Sequence, residues 1–134
     1  MKILLVIFVL FTKFVNAEVI DINNKQLSNL IEKKIKIIDV RTIDEWKSTG
    51  IIKGSFLVSL LNKNKKFIFE DWFAMFENNF GKNKSIIFIC ASGVRSNYIS
   101  HLVKKKKPDL IVYNLKRGIN SWITSGYNVE RLSN

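Results

Sequence analysis

The sequence predicts an α/β domain with a mostly parallel, five-stranded sheet flanked by helices. Two observations carry this. Short apolar runs alternate along the chain with longer stretches of helical periodicity. One of these runs, Ile86 to Ile89, is wholly apolar, the composition of a strand covered on both faces. Punctuation supplies a third: Gly50, Gly81 and Pro108 each fall where one such element stops.

The chain has 134 residues, one domain's worth. Lys2, an apolar run over residues 3–11 and then Val15-Asn16-Ala17 follow the charged, apolar, small-residue order of a secretory signal peptide. Cleavage after Ala17 is expected, with export to the periplasm and a folded domain over residues 18–134. The run is too short to span a bilayer, so no stable membrane span is expected after cleavage. An uncleaved anchor is the competing reading.

In chain order, residues 19–22 read as a first strand. Asn23 or Asn24 caps a helix carrying Leu27, Leu30 and Ile31 on one face and ending near Lys34. Residues 35–40 form a second strand. Thr42 to Glu45 is a capping box opening a short helix through Trp46 to Ser48, which Gly50 stops. Residues 56–59 are a third strand, and residues 62–66 a polar, basic loop. Phe69, Trp72, Phe73, Phe76 and Phe80 recur at helical spacing as core packing, up to Gly81. A helix from Ser96 follows the fourth strand, with Tyr98, Ile99, Leu102 and Val103 inward and Lys104 to Lys107 as a solvated last turn. Residues 110–113 are a fifth strand, and a final helix from Gly118 through Trp122 closes at Gly126 and Tyr127.

The fourth strand leads to the chemistry. Residues 85–96 read SIIFICASGVRS: a fully apolar strand, the chain's one cysteine, then a tight loop into a helix. Unpaired helical N–H groups and a positive dipole end favour anions there and make a thiolate easier to form. Gly93 allows the loop to curl its amides inward, and Arg95 adds a positive charge. Cys90 is therefore the candidate nucleophile. A buried, inert cysteine is the plainer alternative. One cysteine cannot form an internal disulfide, and no Cys/His grouping suggests a metal or other cofactor. The formal net charge of +11 is mostly Lys. With Asn and Ile also abundant, base-composition drift accounts for it without a nucleic-acid partner, leaving a preference for small anions.

Three segments resemble the rhodanese-like domains in order and spacing. They are Ile38-Asp39-Val40-Arg41 with Glu45-Trp46 and residues 50–55; the loop of residues 90–96; and residues 115–118 with Trp122 and Gly126-Tyr127. The resemblance implies a three-layer rhodanese-like fold and a sulfurtransferase cycle. The Cys90 thiolate takes the outer sulfur of thiosulfate or a related anionic donor, releases sulfite, and passes the sulfur to cyanide or a thiol. It implies that Ala91, Ser92, Gly93, Val94, Arg95 and Ser96 form the substrate cradle. Asp39 and Arg41 support it from the neighbouring strand end, or make a purely structural pair. Ser92 and Ser96 could bond the persulfide, or Ser96 could cap the helix. Four residues separate Cys90 from Arg95, one fewer than in the phosphatases and arsenate reductases of this fold, which favours a single sulfur atom over a phosphate-sized group. Those oxyanion enzymes, and a module that carries persulfide or docks a partner without turnover, are the rivals. Three departures stand out. Ile51 replaces a frequent His and Arg117 a frequent Gly, so the backbone at Arg117 must avoid positive φ or bear some strain. Ala91 stands where many thiosulfate users carry a polar residue, which weakens thiosulfate as the physiological donor. His101 is expected to be a packed or surface residue.

Overall fold

A computed structural model describes residues 18–132; the expected signal segment lies outside them. Five strands, β1 (Ile20–Ile22), β2 (Lys36–Asp39), β3 (Phe56–Leu57), β4 (Ser85–Ile89) and β5 (Ile111–Leu115), alternate with five helices. These are α1 (Asn24–Glu32), α2 (Ile43–Thr49), α3 (Phe69–Phe80), α4 (Val94–Lys106) and α5 (Gly118–Thr124). The strand order is β1-β5-β4-β2-β3, with every neighbouring pair parallel. Outside these strands an antiparallel bridge joins Ile51 to Glu130.

β4 lies at the centre, which explains its composition: both of its faces are covered. Ile86, Phe88 and then Cys90 point into a core with Trp72, Phe76 and Phe80 of α3 and Ile99 and Val103 of α4. Ile87 and Ile89 point into the opposite core with Leu27 of α1 and Ile119 and Trp122 of α5. The period of two that divides these residues is the pleat. Phe76 and Phe88 are fully buried with ring centroids 5.9 Å apart. Each such ring contributes about 2–3 kcal/mol through burial. Cys90 thus ends the best-covered strand of the molecule.

The capping expectations hold. Asn23 bonds the Gln26 amide while the Gln26 side chain accepts from Asn23, and Thr42 and Glu45 form the same reciprocal box. Several boundaries move. β3 spans only Phe56–Leu57, because beyond it just Val58 and Leu60 reach back to the Asp39 and Val40 carbonyls. β5 runs on to Leu115, through a buried Asn114 whose side chain is hydrogen-bonded on both sides. α4 starts at Val94, with Gly93 and not Ser96 as its N-cap. Its buried face is Ser96, Ile99, Ser100 and Val103, so Tyr98 is turned outward at 55% exposure and meets Phe67 edge-on. The expected solvated Lys run is also corrected at Lys104. Its amine is buried and donates to the carbonyls of Pro108 (2.9 Å) and Leu110 (2.6 Å), closing the turn into β5.

Candidate active site

The loop after β4 is shaped by two close backbone approaches. Gly93 has φ +91°, and a side-chain carbon there would strike the Lys116 carbonyl oxygen. Gly118 has φ +67°, and a carbon there would strike the Ala91 carbonyl. Only glycine fits either position. The first amides of α5 complete the seam: Ile119 N–H donates to Cys90 O at 2.9 Å, and Asn120 N–H to Ala91 O at 3.1 Å. The loop is thereby bound to the start of α5, with its own amides left to turn inward.

They turn onto sulfur. Cys90 Sγ accepts from the Gly93 N–H at 3.1 Å and from the Ser96 N–H at 3.3 Å, and the Ser96 hydroxyl lies 3.3 Å away. Cys90 is also fully buried. The burial expected of an inert cysteine and the inward amides expected of a reactive one therefore occur together. Among the expected cradle residues, Gly93 and Ser96 hold Sγ. Ala91 is half-buried, while Ser92 and Val94 are exposed and make no hydrogen bond to the sulfur.

Arg95 turns to Glu45 of α2. Its two terminal nitrogens donate to the two carboxylate oxygens at 2.9 and 2.6 Å, a forked pair. Glu45 also accepts from the Thr42 amide and hydroxyl at 2.9 and 3.0 Å. The Arg95 hydrogen bond, more than any other cause, lowers the Glu45 pKa from 4.5 to about 2, and that of Arg95 is raised in turn. The capping box accounts for Glu45 only in part. Its second role, across 50 residues of sequence, had no local signature.

Asp39 and Arg41 are fully buried and bonded to each other, Nε–Oδ1 at 3.0 Å and Nη2–Oδ2 at 2.8 Å. Arg41 donates further to Thr49 Oγ1 and Gly50 O. Neither side chain hydrogen-bonds Cys90. Ile51 is buried and exchanges two backbone hydrogen bonds with Glu130. Arg117 has φ −105°, without the strain a positive angle would bring. His101 is exposed, its Nδ1 2.8 Å from the Asn97 carbonyl. Trp122 stacks on Tyr127 at 4.2 Å, closing the edge as expected.

Sequence reasoning missed Asn114 and Asp21. Ser96 Oγ lies 2.6 Å from Asn114 Oδ1, and Asn114 Nδ2 donates to Asp21 Oδ1 at 3.0 Å. An amide inside an apolar strand was the available sign. Among the described residues no group of side chains could hold a metal, and no helix is long and apolar enough to cross a membrane.

A strand–loop–helix turn of this kind, with a cysteine at the carboxyl edge of a parallel sheet, defines the class of α/β protein to which the chain is compared. The model of the family described as "Rhodanese-like domain" matches residues 23–125, and this chain belongs to that family. Solved structures agree. The chain is similar to a rhodanese-like domain protein from Staphylococcus aureus, at 25% identity and TM-score 0.64, over 85% of this chain and 99% of that one. It resembles the fold of Rv0390 from M. tuberculosis, at 19% identity and TM-score 0.66, over 84% and 97% of the two chains. It also resembles the fold of RPA3614 from Rhodopseudomonas palustris, described as a possible tyrosine phosphatase, at 18% identity and TM-score 0.64, over 87% and 88%. No curated protein matches the sequence.

Proposed function

We propose that this protein is a sulfurtransferase that works through a Cys90 persulfide. The observation that carries the reading is the pair of main-chain donors, Gly93 and Ser96 N–H, aimed at Sγ at the end of β4. Fixed N–H dipoles stabilise a charged sulfur without reorganising during reaction. In the cycle, the Cys90 thiolate attacks the outer sulfur of thiosulfate or a related donor. The S–S bond of the donor breaks, its electron pair leaves with sulfite, and a new S–S bond forms on Cys90. Cyanide or a thiolate then attacks the outer sulfur, and the Cys90 thiolate returns. No general base lies among residues 90–96, and none is required when every reactant is already anionic. The short loop between Cys90 and Arg95, held tight by Gly93 and Gly118, supports a sulfur atom as cargo over a phosphate group.

Incubation with thiosulfate should add one sulfur atom to the intact mass and release one sulfite, and Cys90→Ser should abolish both. Sulfite release by the Ser variant at the wild-type rate would overturn the assignment. The complete burial of Cys90 favours a second reading, a carrier that holds persulfide without turnover. Persulfide formation with sulfite release no faster than from a free thiol would identify it.

A further inference from the structure

Asn114 has two different ends, and its neighbours dictate which faces where. Asp21 Oδ1, a carboxylate oxygen, can only accept, so the Asn114 amide nitrogen must face it, as the 3.0 Å contact records. Asn114 Oδ1 is then turned towards Ser96 and can only accept there. The single Ser96 proton is drawn into that 2.6 Å contact. What Ser96 presents to Cys90 Sγ, 3.3 Å away, is therefore an oxygen lone pair. A thiol can donate into that lone pair; a thiolate is repelled by it. Sheet register makes the arrangement possible, because Asp21, Asn114 and Phe88 are lateral partners on β1, β5 and β4. Ser96 descends onto the row from the first turn of α4.

We propose that Asp21 is a positioning residue for Cys90: through Asn114 it orients the Ser96 hydroxyl away from the sulfur and so restrains the thiolate. The inference deepens the reading of Cys90 as the reacting group. Two Ser96 groups act in opposition on Sγ, its amide favouring charge and its oxygen opposing it. For the sulfur to become a well-solvated anion, the Ser96 proton must swing from Asn114 to Sγ. The other charged groups around the loop are the Arg95–Glu45 and Arg41–Asp39 pairs, each closed on itself, and Lys116 and Arg117 after β5. Asp21 is exposed and lines a depression of about 310 Å³ together with Lys116 and Arg117. The far end of a buried polar chain thus opens to solvent, where it can be altered without touching the core.

The test is the alkylation rate of Cys90 by iodoacetamide in the full chain. Asp21→Ala frees Asn114 to turn its amide nitrogen to Ser96, whose proton then goes to sulfur. Alkylation near neutral pH should rise about fivefold, the size of one hydrogen bond gained by the anion. The gain should vanish at about pH 10, where a cysteine thiol ionises unaided. It should also vanish in a Ser96→Ala background, which lacks the coupling hydroxyl. No gain in the Asp21 variant, an equal gain at both pH values (a loosened loop), or an equal gain in both backgrounds (a plain charge effect) overturns the proposal. This alkylation pattern across the variants, together with no sulfur uptake from thiosulfate by the wild-type protein, would remove the sulfurtransferase reading while leaving the polar chain intact.

Discussion

Replacing Glu45 with Gln tests how the charge beside the loop is held. Gln can still accept from the Thr42 amide, so the capping box of α2 survives. What disappears is the charge opposite Arg95. A carboxyl at about 2 in the folded chain and 4.5 otherwise would correspond to about 3 kcal/mol in a site closed to water. The Arg95 and Glu45 side chains are 40% and 31% exposed, so water and salt screen the pair to about 1 kcal/mol. The sign follows from the depressed value. The stabilisation is complete above 4.5 and is lost as pH falls towards about 2, because the unfolded chain takes up the proton first. Glu45→Gln should therefore lower the melting temperature by about 3–5 °C at neutral pH. The gap from wild type should close on acidification towards about pH 2, in thermal melts followed by circular dichroism. The freed Arg95 should also lower the KM for thiosulfate about threefold at low salt. A gap that stays constant across the acid range would refute the assignment of the stabilisation to this ion pair.

Gly93→Ala should cost at least about 2 kcal/mol in urea denaturation, since it combines a positive φ with a collision at the Lys116 carbonyl. It should also abolish sulfur loading; a variant of wild-type stability and activity would mean the loop has room to spare. Lys104→Met keeps the buried stem but strips the Pro108 and Leu110 carbonyls of their donor. A loss of about 1–3 kcal/mol is expected, and a neutral result would show that water replaces the amine.

Much of this fold was legible because its cues were local. The SIIFI run could serve only as a covered strand, and capping at Asn23 and Thr42 marked two helix starts. The Cys90–Ser96 loop was legible for the same reason: a strand end, Gly93 and a helix start are adjacent in sequence. What escaped depends on partners far along the chain. The inward face of α4 passes through Ser96 and Ser100, and Ser96, expected to bond the persulfide or cap the helix, is buried over a polar group beneath the helix. For Ser96 that group is Asn114, and Asn114 is tolerable in β5 only because Asp21, 93 residues away, occupies the same row of the sheet. Lys104 looked like one more surface cation because the two carbonyls it satisfies belong to the next turn. Propensity could not reveal these pairings, since register and helix phase create them.

The same pairings decide how a chain of net charge +11 treats its own nucleophile. Arg41 is matched by Asp39 and Arg95 by Glu45, so these two cations beside the loop arrive already neutralised. Lys104 is committed to carbonyls, and Lys107 to Glu77 at 2.7 Å. What bears directly on Sγ is dipolar: two backbone N–H groups and the hydroxyl of Ser96. Dipoles fixed to a backbone act over a few ångströms and depend steeply on shape, whereas unpaired surface lysines act over about a Debye length and ignore it. The surplus charge can therefore draw an anion towards the protein without selecting it. In the proposed cycle, selection would fall to the loop geometry that Gly93 and Gly118 make possible.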